Sequence, residues 1–293
     1  METVVNFTLA GILTGGVYAL IGVGLALIFG VLRFINMAHG DLLAVGAYCS
    51  VVYAVVTGGG GAAGTLGAAL VIVLVLGMLI QRTLIQPITR EGRTDERRGL
   101  VLSLGLSMFL SNAILAVFGA DYLKVPPLIS GALQLGEVTV QYQRLLALVA
   151  STVLTGALLA FLQWTRLGTA IRATAVNPQA ALASGIDIRR VHAIAFGIGS
   201  GLAAVAGALL VPIIYAMPSM GLPLTIKGLV IVILGGLGSI PGALIAALML
   251  GIAESLAVLW LPGGFHDLLA PVSMLLVLLL RPSGLLGRNV TRF

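Results

Sequence analysis

The sequence predicts an all-α, polytopic membrane protein with about eight or nine transmembrane helices. Of its 293 residues, 59% are hydrophobic and only 9% are charged, whereas a soluble domain carries roughly a quarter charged residues. The mean hydropathy is +1.13. Because no stretch is long and polar enough to fold separately in water, we expect residues 1–293 to form a single transmembrane domain.

Continuous apolar runs favour helices over a β-barrel, the other structure that a bilayer permits. Barrel strands alternate apolar and polar residues, but runs such as Leu66–Leu79 and Met274–Leu280 contain no charged residue and no alternation. A helix needs about twenty apolar residues to cross the hydrocarbon core. The predicted spans lie near residues 8–30, 40–57, 62–81, 99–118, 145–164, 191–214, 224–239, 243–261 and 268–280. The last three are short, so that eight and nine spans are both compatible with the sequence.

The net charge of +6 is explained by membrane topology rather than by binding to nucleic acid. Three stretches hold most of the arginines: Arg82, Arg90, Arg93, Arg97 and Arg98; Arg166, Arg172, Arg189 and Arg190; and Arg281, Arg288 and Arg292. The positive-inside rule makes these stretches, and with them the C-terminus, cytoplasmic. The other connections contain little beyond Lys124, Arg144 and Lys227. Nine spans place the N-terminus outside; eight place it inside or make one late segment re-entrant.

The connection 119–143 is then external. The alternating residues 133–141 around a glycine predict a small β-hairpin, which either caps the bundle or offers a docking surface to an external partner. Among the 39 glycines, pairs at i, i+4 spacing predict close helix packing: Gly11 and Gly15, Gly197 and Gly201, and Gly238 and Gly242.

Polar residues within or beside the spans are candidates for a solute pathway. Asn36, His39 and Asp41 occur where the first span gives way to the second. At helical spacing Asn36 and His39 share a face, although Gly40 permits the backbone to turn. We expect this cluster near the cytoplasmic side, or at a break within the membrane where polar groups line a cavity, or as a network that only ties two helices together. Three such ligands without a fourth do not predict a metal site, and no catalytic residue is predicted.

Two further polar features lie deeper in the apolar segments. Ser103, Ser107 and Ser111 form a stripe along the fourth span, with Asn112 beside it, and such hydroxyls either line a pathway or hold helices together. Glu254 lies within the eighth span, where an acid facing lipid costs roughly 3 kcal/mol. We therefore expect Glu254 to make a structural or subunit contact within the protein.

The connection 165–190 contains signals for a short, well-defined helix. Asn177 is a good N-cap, and Pro178 suits the first helical position. Ala180 and Ala181 favour helix, and Gly185 can adopt the left-handed conformation that ends one. A two-turn helix is marginal alone, so that it packs either against its own protein or into a groove of a cytoplasmic partner.

The spacing of Ala180, Ala181 and Gly185 resembles the coupling-loop motif of ABC importer permeases. Gln179 occupies the place of the acidic residue that often opens this motif. The resemblance extends along the chain through four further motifs: residues 16–20, 30–41, 234–243 and 281–287. Together they resemble the bacterial branched-chain amino acid ABC permeases of the LivH type.

The resemblance implies a permease subunit, not an enzyme, of an ATP-driven importer for branched-chain amino acids in the bacterial inner membrane. Its implied partners are a second homologous permease, two cytoplasmic ATPase subunits, a periplasmic substrate-binding protein and membrane lipid. The chain contains no G-x-x-x-x-G-K-[ST] motif, so that we expect no cofactor here and ATP with Mg on the ATPase partners. An ion- or proton-coupled secondary transporter and an ABC permease for urea or amides are the alternatives.

Overall fold

The computed structural model describes residues 2–59, 61–90, 93–135, 138–261, 268–281 and 283–286. Helices dominate these residues, in agreement with the predicted fold class. In chain order they are α1 (Glu2–Leu32), α2 (His39–Thr57), α3 (Ala62–Ile80), α4 (Glu96–Phe118), α5 (Tyr142–Trp164), α6 (Arg166–Val176), α7 (Pro178–Ala183), α8 (Ile188–Leu210), α9 (Gly221–Gly235), α10 (Ile240–Ala257) and α11 (Leu269–Leu280). The π-helical segment Gln81–Ile85 and the 3₁₀ turn Gln86–Ile88 extend α3, and the 3₁₀ turn Pro218–Met220 precedes α9.

Eight helices in the described parts of the chain are long and apolar enough to cross a membrane: α1 to α5, α8, α9 with its preceding turn, and α10. The ninth predicted span corresponds to α11, which has 12 residues and is therefore about 18 Å long. It is shorter than the hydrocarbon core of a bilayer, about 30 Å thick. The count of eight or nine spans thus depends on a helix that crosses only part of that thickness.

Helices α1 and α8 form the centre of the bundle and are buried on almost all sides. Glycines allow their neighbours to approach closely, as predicted for two of the three glycine pairs. Gly11 and Gly15 face the backbone of α10, and Gly197 and Gly201 face α3. The predicted third pair is wrong, because Gly238 lies in the turn between α9 and α10 with a φ of +80° and is not on a helix.

The two ends of the bundle differ in charge and structure. We define the arginine-rich end by Arg82, Arg97, Arg166, Arg189 and Arg281, which lie at or beside helix ends. A two-residue strand pair, β1 (Thr89–Arg90) and β2 (Arg93–Thr94), also lies in this part of the chain.

The opposite end, which we call the hairpin end, carries the predicted hairpin. Strand β3 (Ala132–Leu135) pairs antiparallel with β4 (Val138–Gln141), and the predicted turn at residues 136–137 lies outside the described residues. Leu123 and Ala216 form a separate bridge there.

Candidate functional site

The chain leaves helical geometry between α1 and α2, at residues 33–38, which we call the break. Arg33 is the non-glycine residue with a positive φ, +61°, among those the structure describes. Asn36 is buried, and its side-chain oxygen accepts a hydrogen bond from the backbone N–H of Ala38 at 3.2 Å. The prediction that Asn36 and His39 share a helix face is therefore wrong, since α2 begins only at His39.

Side chains from two other helices satisfy the backbone of the break. The Ser103 hydroxyl on α4 accepts from the N–H of Met37 at 3.1 Å and donates to the carbonyl of Ile35 at 3.3 Å. The Thr225 hydroxyl on α9 donates to the carbonyl of Met37 at 3.1 Å and accepts from the N–H of Gly40 at 2.8 Å. Non-helical backbone at membrane depth requires such partners. The hydrogen bonds from α4 and α9 therefore stabilise the break within the bundle.

His39 shows that α2 begins inside the bundle. Its Nε2 atom lies 3.1 Å from the carbonyl oxygen of Ile21, which precedes the end of α1 by about three turns. A side chain on Gly24 would press against the His39 ring and the carbonyl of Gly199. The chain therefore folds back along α1 before α2 starts, as in a re-entrant segment.

Asp41 joins the break to the predicted serine stripe. Its carboxylate is buried and accepts hydrogen bonds from the hydroxyls of Ser107 at 2.5 Å and Ser111 at 2.7 Å. Asn112 lies outside this network: it is exposed and donates to the carbonyl of Met108 in its own helix. We define the Asp41 cluster as the side chains that meet here: Asn36, His39, Asp41, Ser103, Ser107, Ser111 and Thr225.

Thr225 is the member of the Asp41 cluster that the sequence did not indicate. It is a single threonine in an apolar segment, with no periodic polar neighbours. Only the packing of α9 against α2 places its hydroxyl beside Met37 and Gly40.

Glu254 belongs to a second cluster, between α1, α9 and α10. Its Oε2 atom accepts from the Tyr18 hydroxyl at 2.8 Å and from the Lys227 ammonium at 3.1 Å. Lys227 also donates to the Tyr18 hydroxyl at 3.0 Å and lies 5.2 Å from the centre of that ring. Glu254 therefore makes the structural contact that we expected of it.

The assignment of Lys227 to a connection is wrong, because this residue lies within α9. Tyr18 and Lys227 are 209 residues apart in the chain. Side chains tilt toward the N-terminus of their own helix, so that residues at different heights on antiparallel α1 and α10 can meet. The sequence alone carries no signal for this meeting.

The short helix predicted in the connection 165–190 is α7, and both of its caps form. The Asn177 side chain accepts from the N–H groups of Gln179 and Ala180, each at 3.1 Å. At the other end Gly185 has a φ of +82°. The N–H of Gly185 donates to Leu182 and that of Ile186 to Ala181, which is a complete Schellman motif. The same connection also contains α6, a helix that the sequence analysis did not predict.

One face of α7 lies against the protein and the other is open. Pro178 and Ala181 are buried, whereas Ala180, Leu182 and Gly185 are exposed. Beside the open face lies a mainly apolar concavity of about 500 Å³, formed by α6 and α7. Helix α7 is thus capped at both ends and has one open face; it is formed and capped by the predicted residues Asn177, Pro178, Ala180, Ala181 and Gly185.

Arg33 connects α6 to the break. Its guanidinium donates to the carbonyl of Ala175 at 2.5 Å, in the last turn of α6. Asn177, which caps α7, follows two residues later. The next residue, Phe34, is fully buried against Gly99, so that the hydrogen bond of Arg33 joins α6 to the start of a firmly packed segment.

The eight membrane-length helices of the described residues define a multi-pass membrane protein. More narrowly, the chain belongs to the family of branched-chain amino acid transport system permease components, whose family model matches residues 7–278.

Relatives from two bacteria agree with this assignment. The chain is 33% identical to the high-affinity branched-chain amino acid transport system permease protein LivH of Escherichia coli strain K12, over 95% of this chain and 94% of that protein. It is 31% identical over the same shares to the corresponding permease protein BraD of Pseudomonas aeruginosa.

The fold is also found in a solved structure, PsaBC from Streptococcus pneumoniae in complex with Fab. The match has a TM-score of 0.50 and covers 92% of this chain and 90% of the other, at 11% sequence identity. At that identity the likeness concerns the fold alone.

Proposed function

We propose that this chain is the membrane-spanning subunit of an ATP-driven ABC importer for branched-chain, hydrophobic amino acids. In this role it forms the translocation pathway and couples to separate ATPase subunits. The names of the E. coli and P. aeruginosa relatives support the substrate class. The observation that carries the coupling role is α7, a helix capped at both ends and presented on an open face at the arginine-rich end.

The partners in this proposal are two ATPase subunits, a second homologous permease and a periplasmic substrate-binding protein. ATP and Mg bind to the ATPase subunits, because the sequence of this chain contains no phosphate-binding P-loop motif. The protein lies in the bacterial inner membrane with its C-terminus and its arginine-rich end in the cytoplasm, according to the positive-inside rule. The hairpin end then faces the binding protein.

Coupling requires that α7 make different contacts in at least two states, since a partner with equal affinity for both states shifts nothing. The open face of α7 is available to an ATPase subunit. Movement of α7 passes through α6 to the bond between Ala175 and Arg33, and from there to the break. The Asp41 cluster, which joins the break to α4 and α9, is where we expect the pathway to change its accessibility.

The substitution Gly185→Val tests this role of α7. Gly185 has a left-handed conformation, which costs a non-glycine residue roughly 1–2 kcal/mol, and more for a β-branched one. A side chain there meets no neighbouring atom, so that the bundle itself stays intact. In proteoliposomes with all subunits, we expect ATP hydrolysis to persist while leucine uptake per ATP falls at least several-fold. Gly185→Asn, which tolerates this conformation, is the matched control.

Normal uptake per ATP in the Gly185→Val protein would contradict the coupling role of α7. Uptake that needs no ATP but follows an imposed ion or proton gradient would instead identify a secondary transporter. Competition for uptake by urea or amides, and not by leucine, isoleucine or valine, would correct the substrate class while leaving the coupling mechanism in place.

A further inference from the structure

A polar pocket of about 590 Å³ lies at the arginine-rich end, between the end of α3 and the start of α8. We call it the α3–α8 pocket. It is separate from the Asp41 cluster and from the Glu254 cluster. Its lining includes Gln81, Arg82, Leu182, Asp187, Arg189 and His192.

The pocket carries an excess of positive charge. Arg82 and Arg189 supply two guanidinium groups and Asp187 one carboxylate, which leaves a net charge of +1 from these three. One oxygen of Asp187 is already engaged, since it accepts from the backbone N–H of Arg190 at 3.2 Å. The charge of the pocket therefore suits a ligand with a single negative charge, such as a phosphodiester.

Two buried side chains in the pocket wall have polar atoms without a protein partner. Gln81 is fully buried, and neither its amide nitrogen nor its amide oxygen makes a hydrogen bond. His192 is also buried, and its Nε2 atom has no partner. Leaving such a group unsatisfied costs about 1–3 kcal/mol, so that these atoms require a ligand or water to complete them.

The backbone at Gln81 supports a specialised role. Here α3 changes into the π-helical segment Gln81–Ile85, a rare conformation that is frequent at functional sites. Gln81, the first residue of this segment, is buried in the pocket wall, while Arg82, the next residue, is exposed.

An apolar track leads along α3 to this pocket. Val71, Val75 and Leu79 follow one another at intervals of four residues and are exposed by 59%, 48% and 52%. In a membrane-spanning helix this stripe faces acyl chains or another apolar helix. The guanidinium of Arg82 follows where the stripe ends, which is the arrangement of tail contacts and headgroup contacts that a phospholipid requires.

We propose that the α3–α8 pocket binds the phosphate of an anionic phospholipid, such as phosphatidylglycerol. Arg82 and Arg189 contact the phosphate, the Gln81 amide and the His192 Nε2 bind the headgroup, and the acyl chains lie along the α3 stripe. Basic pockets between transmembrane helices are known to bind such headgroups. The inference depends only on membrane insertion, not on the proposed substrate or on ATP.

Leu182 places helix α7 in contact with the proposed lipid site. This residue of α7 lines the pocket and is 54% exposed. A bound lipid would therefore contact α7 at Leu182, and its removal would loosen the helix that we assign to coupling.

The experiment compares two double variants that remove the same charge from the same end of the protein. Arg82→Gln/Arg189→Gln changes the pocket, whereas Arg166→Gln/Arg172→Gln changes two exposed arginines of α6 outside it. Each purified protein is titrated with phosphatidylglycerol in phosphatidylcholine nanodiscs, and bound lipid is counted by native mass spectrometry. We expect at least tenfold weaker retention of phosphatidylglycerol in the pocket variant and unchanged retention in the α6 variant.

Equal loss in both double variants would mean diffuse charge attraction and would overturn the site, as would no loss in either. Gln81→Leu provides a second test, because it keeps the pocket charge but removes the amide. Weaker retention of phosphatidylglycerol would support the site. Unchanged retention would contradict the proposed contact between the Gln81 amide and the headgroup. Inorganic phosphate is the third arm. If phosphate stabilises the protein against heat in pure phosphatidylcholine, and does not stabilise the pocket variant, the pocket binds a free anion. That result would overturn the proposal that it binds a lipid.

Discussion

Helix α7 and the Asp41 cluster are both polar interruptions of an apolar chain, but they are held in different ways. All the hydrogen bonds that define α7 join residues within 177–186. The Asp41 cluster joins residues up to 188 positions apart and draws on α1, α2, α4 and α9. Helix α7 is thus stabilised by local hydrogen bonds at an end of the bundle, whereas the Asp41 cluster is stabilised by tertiary contacts inside it.

This difference gives the two regions different roles: α7 can present a contact surface, whereas the Asp41 cluster holds several helices together. A self-contained helix can move as a unit without disturbing the packing of the spans, which suits a contact surface for a moving partner. The Asp41 cluster cannot change one bond without affecting several helices, because interiors are closely packed. Between the two regions, Arg33 at the start of the break donates to the carbonyl of Ala175 in α6, the helix that precedes α7.

The largest effect is expected at Gly40, where the break meets α9. A side chain there would collide with the carbonyl of Gly221 and the hydroxyl of Thr225. We expect Gly40→Leu to lower the free energy of unfolding by about 3 kcal/mol, measured as thermal stability in detergent. Gly105→Leu on α4, where no atom is near, is the control. Equal melting of both proteins would mean that the break is not rigidly held.

Removing the carboxylate of the Asp41 cluster comes next. Asp41→Ala loses the bonds from Ser107 and Ser111, and bonds to a charged group contribute about 1.5–3 kcal/mol. Since both serines can turn to their own helix backbone, we expect a net loss of about 2 kcal/mol in thermal stability. Asp41→Asn keeps one acceptor and should lose less, and exposed Asn112→Ala should lose nothing. A stable Asp41→Ala protein would show that the cluster does not hold the helices together.

The Glu254 cluster provides an intermediate case, because it too is tertiary but lies away from the break. In Glu254→Gln the amide oxygen still accepts from Tyr18 and Lys227, so that a charged acceptor is exchanged for a neutral one; we expect a stability loss of about 1 kcal/mol and preserved uptake. Adding Lys227→Met should restore part of this loss, since it removes the ammonium that Glu254→Gln leaves without a counter-charge. Loss of uptake together with an altered pH dependence in Glu254→Gln would instead assign Glu254 to proton transfer.

The smallest effect on the whole molecule is expected at the cap of α7. Asn177→Ala removes the side-chain acceptor for two N–H groups, which costs about 1 kcal/mol of helix stability. Because α7 is self-contained, we expect faster amide hydrogen exchange in residues 179–184 with unchanged global melting. Asn177→Asp keeps the cap and serves as the control. Global destabilisation by Asn177→Ala would contradict the local character of α7.

Prediction from sequence succeeded where the signals are close together in the chain. The caps of α7 lie within ten residues, and the alternation that predicts the hairpin lies within nine. The serine stripe was also visible, since Ser103, Ser107 and Ser111 repeat at helical spacing. The assumption of helical spacing failed at Asn36 and Gly238, because contacts with residues distant in the chain fix the non-helical backbone at both places.

The sequence alone determined that the chain is a bundle of membrane helices with an arginine-rich end and a capped helix at that end. Composition, apolar run length and short-range capping are properties of neighbouring residues, and the bilayer enforces backbone hydrogen bonding within each span. Tertiary structure alone decided that α2 begins beside Ile21, that Thr225 supports Met37, that Lys227 meets Glu254, and that Arg33 reaches Ala175. These contacts depend on which helix faces are neighbours, and that is decided by close packing among many helices at once.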